Sequence, residues 1–348
     1  MPTLPPFATT VVGSFPHPEA AGLLERIISD LDVPDWPQLS KRSWRESMYI
    51  QYGEVLPGIA FDDAQQKIYF DTSRDLSGPL ETFYEHYLAD DLDYFALYAQ
   101  DAAGFFAFLE ALGQSGSGEW VKGQVTGPIS FGLTVTDQDL RASLYHEMLA
   151  DALVKNMAMN ARWQVRQLQQ ARPNVIMSVD EPYMASFGSA FISLEREQAV
   201  AMLDEVFAAI QAEGALASVH CCANTDWSVL MASQVDILNL DAYGYLENLA
   251  LYPQELRSFL DRGGRVMWGS VPNTELIFDT TPQALAQLLQ DGLALISQKA
   301  ARRGVEIQPD ELAARSLLSP SCGMGSTTVA VAERALDILK LVRELLNA

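Results

Sequence analysis

His220 and Cys222 stand two residues apart in the run ASVHCCANTDW, Ala217–Trp227. In an extended strand, residues i and i+2 share a face. The imidazole and the Cys222 thiol therefore project together, and Cys221 projects to the other side. An imidazole nitrogen and a thiolate a few ångströms apart are two ligands for a tetrahedral zinc ion. A second thiol is on offer at Cys322 in SPSCGMG, where Gly323 and Gly325 speak for a shaped backbone more than for core packing. Asp241, at the end of DILNLDA, closes the next β-rich run after His220. With Asp241 the set holds four ligands; without it, three ligands and an exchangeable fourth position remain. The competing reading treats the cysteines as small apolar residues of a core, and it suits Cys221 best. His17, His86 and His146 show no ligand spacing, and His146 falls in a helical pattern.

Elements of a particular kind are needed to bring these side chains to one place. Eight β-rich runs follow one another: Thr9–Phe15, Asp93–Ala99, Glu119–Gly127, Asn174–Pro182, Leu216–Cys222, Asp236–Ala242, Arg265–Val271 and Ser316–Gly323. Amphipathic segments with a 3.6-residue period lie between several of them, at Leu144–Ala171, Leu194–Gly214 and Thr281–Gly304. Gly214 is expected to end the second of these and Thr281 to cap the third. Strands alternating with helices imply parallel pairing with crossover helices, and eight of them suit a (β/α)8 TIM barrel of class α/β. An open doubly wound sheet is the alternative, but no G-x-G-x-x-G follows any strand. The expected organisation is one catalytic barrel domain over residues 1–348, with an N-terminal extension at about 20–90. Reactive residues gather at the C-terminal ends of the runs: Gly13 and Ser14, Asp180 and Glu181, His220 and Cys222, Asp241, Cys322. In a barrel these ends open on one face, where active sites are built.

Composition narrows the function classes. The formal net charge of −22 is the opposite of the basic footprint of a nucleic-acid binder. No run approaches the ~18 apolar residues of a membrane span. The N-terminal stretch has neither a basic segment nor a continuous apolar one, as a signal peptide would. Three cysteines are too few for a disulfide framework, so a reducing, cytoplasmic setting is expected.

The segments TTVVGSFPHP, VKGQVTGP, VDEP, VHCC, WGSV and SPSCGMG occur together, in this order. As a set, from Thr9 to about Leu341, the chain resembles the catalytic C-terminal barrel of cobalamin-independent methionine synthases. That barrel belongs to the superfamily that includes uroporphyrinogen decarboxylase and methylcobalamin:thiol methyltransferases. The resemblance implies transfer of a methyl group to the zinc-bound thiolate of homocysteine. It implies zinc ligands at His220, Cys222 and Cys322, with Asp241 where the family usually has a glutamate ligand. It also implies that Asp180 of VDEP, next to Glu181, holds the substrate ammonium, and that the backbone at Gly13 and Ser14 holds its carboxylate. Two protein thiolates offset much of the zinc charge, which leaves a substrate thiolate nucleophilic and separates alkyl transfer from zinc hydrolysis.

Two departures from the family bear on the methyl donor. The long methionine synthases carry an additional N-terminal barrel ahead of the segment seen here. After VTGP the family usually has a tryptophan at the folate site, whereas this chain reads VTGPISFGLTVTDQD and the corresponding position, near Thr134, is not aromatic. The expected donor is therefore methylcobalamin or a methyl-corrinoid protein, with methyl-folate as the alternative. Another small thiol such as coenzyme M is the alternative acceptor. A porphyrin-acid decarboxylase would need several pocket arginines, and none stands at the strand ends. A non-enzymatic corrinoid- or metal-binding protein is the reading from outside enzymology.

Overall fold

The computed structural model describes residues 4–116, 118–190 and 192–348. Among the described residues there are nine strands: β1 (Ala8–Thr9), β2 (Ile59–Asp62), β3 (Lys67–Phe70), β4 (Trp120–Thr126), β5 (Asn174–Asp180), β6 (Leu216–Cys221), β7 (Ile237–Leu240), β8 (Arg265–Val271) and β9 (Ser316–Pro320). Seven form one parallel sheet in the order β1-β9-β8-β7-β6-β5-β4, and β2 pairs with β3 as a separate antiparallel hairpin. Helices alternate with the parallel strands, as a βα barrel requires.

The sheet closes through a segment that the sequence pattern misses. Between β1 and β4 runs VPDWPQL, Val33–Leu39. Parallel bridges join Asp35 to Lys122 on β4, and Ser14 to Gln38. Backbone hydrogen bonds run from Lys122 N to Pro34 O (2.8 Å) and from Gln38 N to Gly13 O (3.0 Å). Pro34 and Pro37 lack an N–H and break the ladder into isolated bridges, so this stave carries no strand signature. The expected strand at Asp93–Ala99 is instead a short 3-10 turn, Leu92–Phe95, whose Phe95 and Leu97 are buried. Its aromatic, alternating look reflects packing of this turn against the long helix Glu147–Gln169. Asn160 of that helix donates to Phe95 O at 2.7 Å.

The three helical expectations hold, with ends shifted by one to three residues. The helices run Glu147–Gln169, Arg196–Ala212 and Pro282–Arg302. Thr281 Oγ1 accepts from Ala284 N, which satisfies one of the orphan donors of the first turn. Gly214 and Gly304 follow two of these helices with positive φ, where a side chain would be strained.

Strand periodicity divides the barrel interior into levels. At the bottom Leu4, Ala8, Val33, Trp120, Ile176, Ile237, Met267 and Leu317 form an apolar plug. Two residues further along the strands the interior turns polar, with Lys122, Ser178, Ser218, Asn239 and Ser319 all buried. Lys122 Nζ donates to Asp35 Oδ2 at 2.6 Å and to Val12 O at 3.1 Å. Both partners of this ion pair are out of solvent. Burial pushes the Asp35 carboxyl up to about 7, against the pull of Lys122. Removing either partner would strand the other, at a cost of about 3–5 kcal/mol. The pair thus ties the irregular second stave to β4. One level higher come Gln124, Asp180 and His220, at the C-terminal mouth.

Candidate metal and acceptor site

β6 delivers His220 from its last turn of pleat, and Cys222 follows just beyond it. Cys322 sits two residues past the end of β9. The ligand atoms of His220, Cys222 and Cys322 all lie within 4.8 Å of one another, and no other group of metal-ligand type is so arranged among the described residues. Cys221 points to the outer side of β6, as strand alternation demands. It is fully buried, its Sγ lies 3.6 Å from Ala223 O, and burial pushes its thiol up to about 12. Such a thiol is an inert part of the core.

The three side chains shift one another's protonation. Cys222 is pulled down to about 4 by the neighbouring Cys322 thiol and by His220. Cys322 is raised by the same neighbour and by burial. Burial works against a charged His220, yet Cys222, Asp180 and Asn239 raise its basicity above the ordinary histidine range. Neither ring nitrogen of His220 has a well-aligned hydrogen-bond partner, although the residue is only 3% exposed. Two sulfurs and one unsatisfied imidazole nitrogen, converging in a partly buried pocket, fit a zinc ion with one position left for an incoming ligand.

Asp241 lies elsewhere in this arrangement. Its Oδ1 accepts from Gly244 N at 2.8 Å and caps the helix Ala242–Leu249. It is not part of the three-residue cluster. The family-type glutamate would extend one methylene further, whereas the shorter Asp241 side chain is engaged by its own helix.

The cluster opens into a cavity of about 300 Å³ lined by Ser14, Gln38, Met48, Gln124, Asp180 and Pro182, among others. No lysine or arginine is among its lining residues. A larger cleft, about 690 Å³, lies between the helices Ala242–Leu249 and Pro282–Arg302, and none of the reactive residues reaches it. Asp180 Oδ1 accepts from Ser178 Oγ at 2.9 Å. Burial raises the Asp180 carboxyl, while His220 and Lys122 act to keep it ionised. Glu181 turns the other way. It accepts from Ile129 N, Ser130 N and Ser130 Oγ at 3.0, 2.8 and 2.5 Å, and is wholly buried. It serves the open N-terminus of the helix Pro128–Thr134, and burial pushes it up to about 7. So within VDEP the first carboxylate faces the pocket and the second holds the loop beside it.

The loops carrying Ser14 and Cys322 are locked together. Met324 N donates to Ser14 O (2.9 Å), and Gly325 N to Ser14 Oγ (3.2 Å). A Cβ on Gly323 would come within 2.2 Å of Ser14 Oγ, so glycine is what allows this approach. Gly13 has φ +135°, and a Cβ there would lie 2.6 Å from the Gln124 amide. The two-residue strand spacing and the glycines made these residues legible. Gln38 and Gln124 were not. Glutamine carries no spacing signal, and Gln38 lies on the proline-broken stave.

The remaining histidines have other partners. His17 Nε2 meets Glu333 (3.0 Å), and His86 Nδ1 meets Asp91 (2.7 Å). His146 precedes its helix instead of lying inside it, and Nε2 meets Asp137 at 2.9 Å.

No family model matches the chain, and a search of curated proteins finds no match. Among solved structures, the chain is similar to a B12-independent methionine synthase from Shewanella sp. W3-18-1 in complex with selenomethionine. The TM-score is 0.56 and the identity 17%, over 98% of both chains. A β-glycosidase from the hyperthermophile Thermosphaera aggregans superposes with TM-score 0.45 and 12% identity, over 95% of this chain and 85% of that one. The second likeness is too distant to inform the site. The first establishes the α/β barrel. No helix among the described residues is long and apolar enough to cross a membrane.

Proposed function

We propose that this chain is a zinc-dependent methyltransferase that methylates the thiol of L-homocysteine to give methionine. The observation that carries the reading is the convergence of His220, Cys222 and Cys322 within 4.8 Å at the barrel mouth, in one cavity with Asp180. His220, Cys222 and Cys322 would hold the metal, and zinc bound there supplies the means to keep an acceptor thiol deprotonated at neutral pH. The chain's own residues do the rest. Asp180 accepts from the substrate ammonium, and its charge selects an amino-acid acceptor. The backbone around Gly13 and Ser14, held by the Cys322 loop, receives the carboxylate. The apolar side of the pocket, with Met48 and Pro182, excludes water from the sulfur.

The lining favours this acceptor over the alternatives. A sulfonate thiol such as coenzyme M, or a porphyrin acid, offers no ammonium to pair with Asp180 and would set its anionic groups in a lining that holds this carboxylate and no lysine or arginine. The donor expected from the sequence is a methyl-corrinoid, presented free or by a partner protein. The structural neighbour is a B12-independent enzyme and lends that donor no support, so a direct comparison decides it. Zinc-loaded protein is mixed with homocysteine and either methylcobalamin or methyl-tetrahydrofolate, and methionine is measured. Formation of methionine from methylcobalamin alone is the expected result. Equal or faster formation from methyl-folate would refute the corrinoid donor. No methionine from either donor, with zinc bound, would refute the acceptor.

A further inference from the structure

Asp180 and Asn239 flank His220 on its two neighbouring strands. In register, His220 pairs with Asp180 on β5 and with Asn239 on β7. All three side chains face the barrel interior. A histidine that binds a metal through one nitrogen carries its proton on the other, and that N–H needs an acceptor to fix ring orientation and tautomer. Two acceptors are therefore in competition; neither ring nitrogen is hydrogen-bonded in this structure, and the orientation of the Asn239 amide is what speaks between them.

Asn239 is 1% exposed, and its amide is oriented without ambiguity. Its Nδ2 lies 3.0 Å from Met267 O and 2.9 Å from Ser319 Oγ. A backbone carbonyl can only accept, so the atom facing it must be the amide nitrogen. Both amide hydrogens are thereby used, and the oxygen is the atom left for the remaining neighbour. Asp180, by contrast, lines the cavity and already accepts from Ser178 Oγ.

We propose that Asn239 is the positioning residue of the metal site: its amide oxygen accepts the imidazole N–H of His220, fixes the tautomer, and aims the other ring nitrogen at Cys222 and Cys322. This inference rests on the reading of His220 as a zinc ligand. It divides the labour of the two flanking residues. The neutral amide serves the metal ligand, and the carboxylate stays free for the substrate ammonium. A neutral acceptor also adds no further anion to a site that already holds two sulfurs.

The test compares wild type, Asn239→Val, Asn239→Asp and Asp180→Asn. Zinc affinity is measured by competition with a chromophoric chelator. The His220 tautomer is read in the metal-free proteins, at a pH high enough to keep the ring neutral, by long-range 1H–15N correlation of the imidazoles. Wild type should show one tautomer. Asn239→Val should show a mixture and bind zinc about 10–100-fold more weakly, the usual cost of losing such a partner. Asn239→Asp restores an acceptor and should restore the single tautomer and most of the affinity. Asp180→Asn should leave both readouts as in wild type. Wild-type affinity and tautomer in Asn239→Val, or the losses appearing in Asp180→Asn instead, would overturn the proposal. If Asn239→Val does not fold, Asn239→Asp decides: a mixed tautomer there overturns it equally. Should the wild type bind no zinc at all, the metal reading fails, while the tautomer comparison still decides the role of Asn239.

Discussion

Replacing Asp180 by asparagine removes one charge and almost no volume. Asparagine can still accept from Ser178 Oγ through its amide oxygen, so the local hydrogen bond at 2.9 Å survives. Burial already disfavours the Asp180 carboxylate, so the fold loses nothing and the melting temperature should stay the same or rise. What is lost is a charge-assisted hydrogen bond to the substrate ammonium, about 1.5–3 kcal/mol. At 1.36 kcal/mol per decade, kcat/KM for homocysteine should fall roughly 10- to 150-fold. The assay pairs homocysteine with its analogue lacking the amino group, in both proteins. With wild-type enzyme the analogue should be the poorer acceptor by a similar factor. With Asp180→Asn the two acceptors should become nearly equal, because the coupling between carboxylate and ammonium is gone. An undiminished preference for homocysteine in the variant would refute the reasoning and leave Asp180 a structural residue.

Cys222→Ser and Cys322→Ser should each lose most of the bound zinc in metal analysis, while Cys221→Ser, altered on the far side of β6, should retain it. Full zinc content in Cys322→Ser would remove that residue from the site. Gly13→Ala places a methyl group 2.6 Å from the Gln124 amide at φ +135°, so a loss of about 1–3 kcal/mol in stability is expected, read as a lower midpoint in urea. An unshifted midpoint would show that the Ser14 loop adapts freely. Arg257 holds Glu311 by two contacts of 2.7 Å and lowers its carboxyl below the ordinary range. A depressed folded-state pKa stabilises above the unfolded value of about 4.3 and loses that stabilisation as pH falls through the folded value. Glu311→Gln should therefore cost less than about 1 kcal/mol of stability at pH 7, read as a slightly lower melting temperature, and the gap should close below pH 4. A gap that persists at pH 3 would contradict the ion-pair origin.

Strand periodicity by itself put His220 and Cys222 on one face and Cys221 on the other, because a period of two leaves no alternative. The repeated strand–helix pattern likewise specified the barrel, and with it the face on which Asp180, Cys222 and Cys322 would meet. Which carboxylate of VDEP faces the pocket was not decided by spacing. Asp180 and Glu181 alternate sides, and only the presence of the helix Pro128–Thr134 behind β5 gives Glu181 its three donors. Asp241 followed the same rule: its helix claims the carboxylate through Gly244 N, a contact set by where the chain turns after β7. The second stave escaped the pattern since Pro34 and Pro37 erase the ladder while Asp35 and Gln38 still bridge their neighbours. Asn239 carries no motif at all. Its standing beside His220 arises from the register of β6 on β7, and pairing register between distant strands is fixed by closure of the whole barrel, not by any local run of residues.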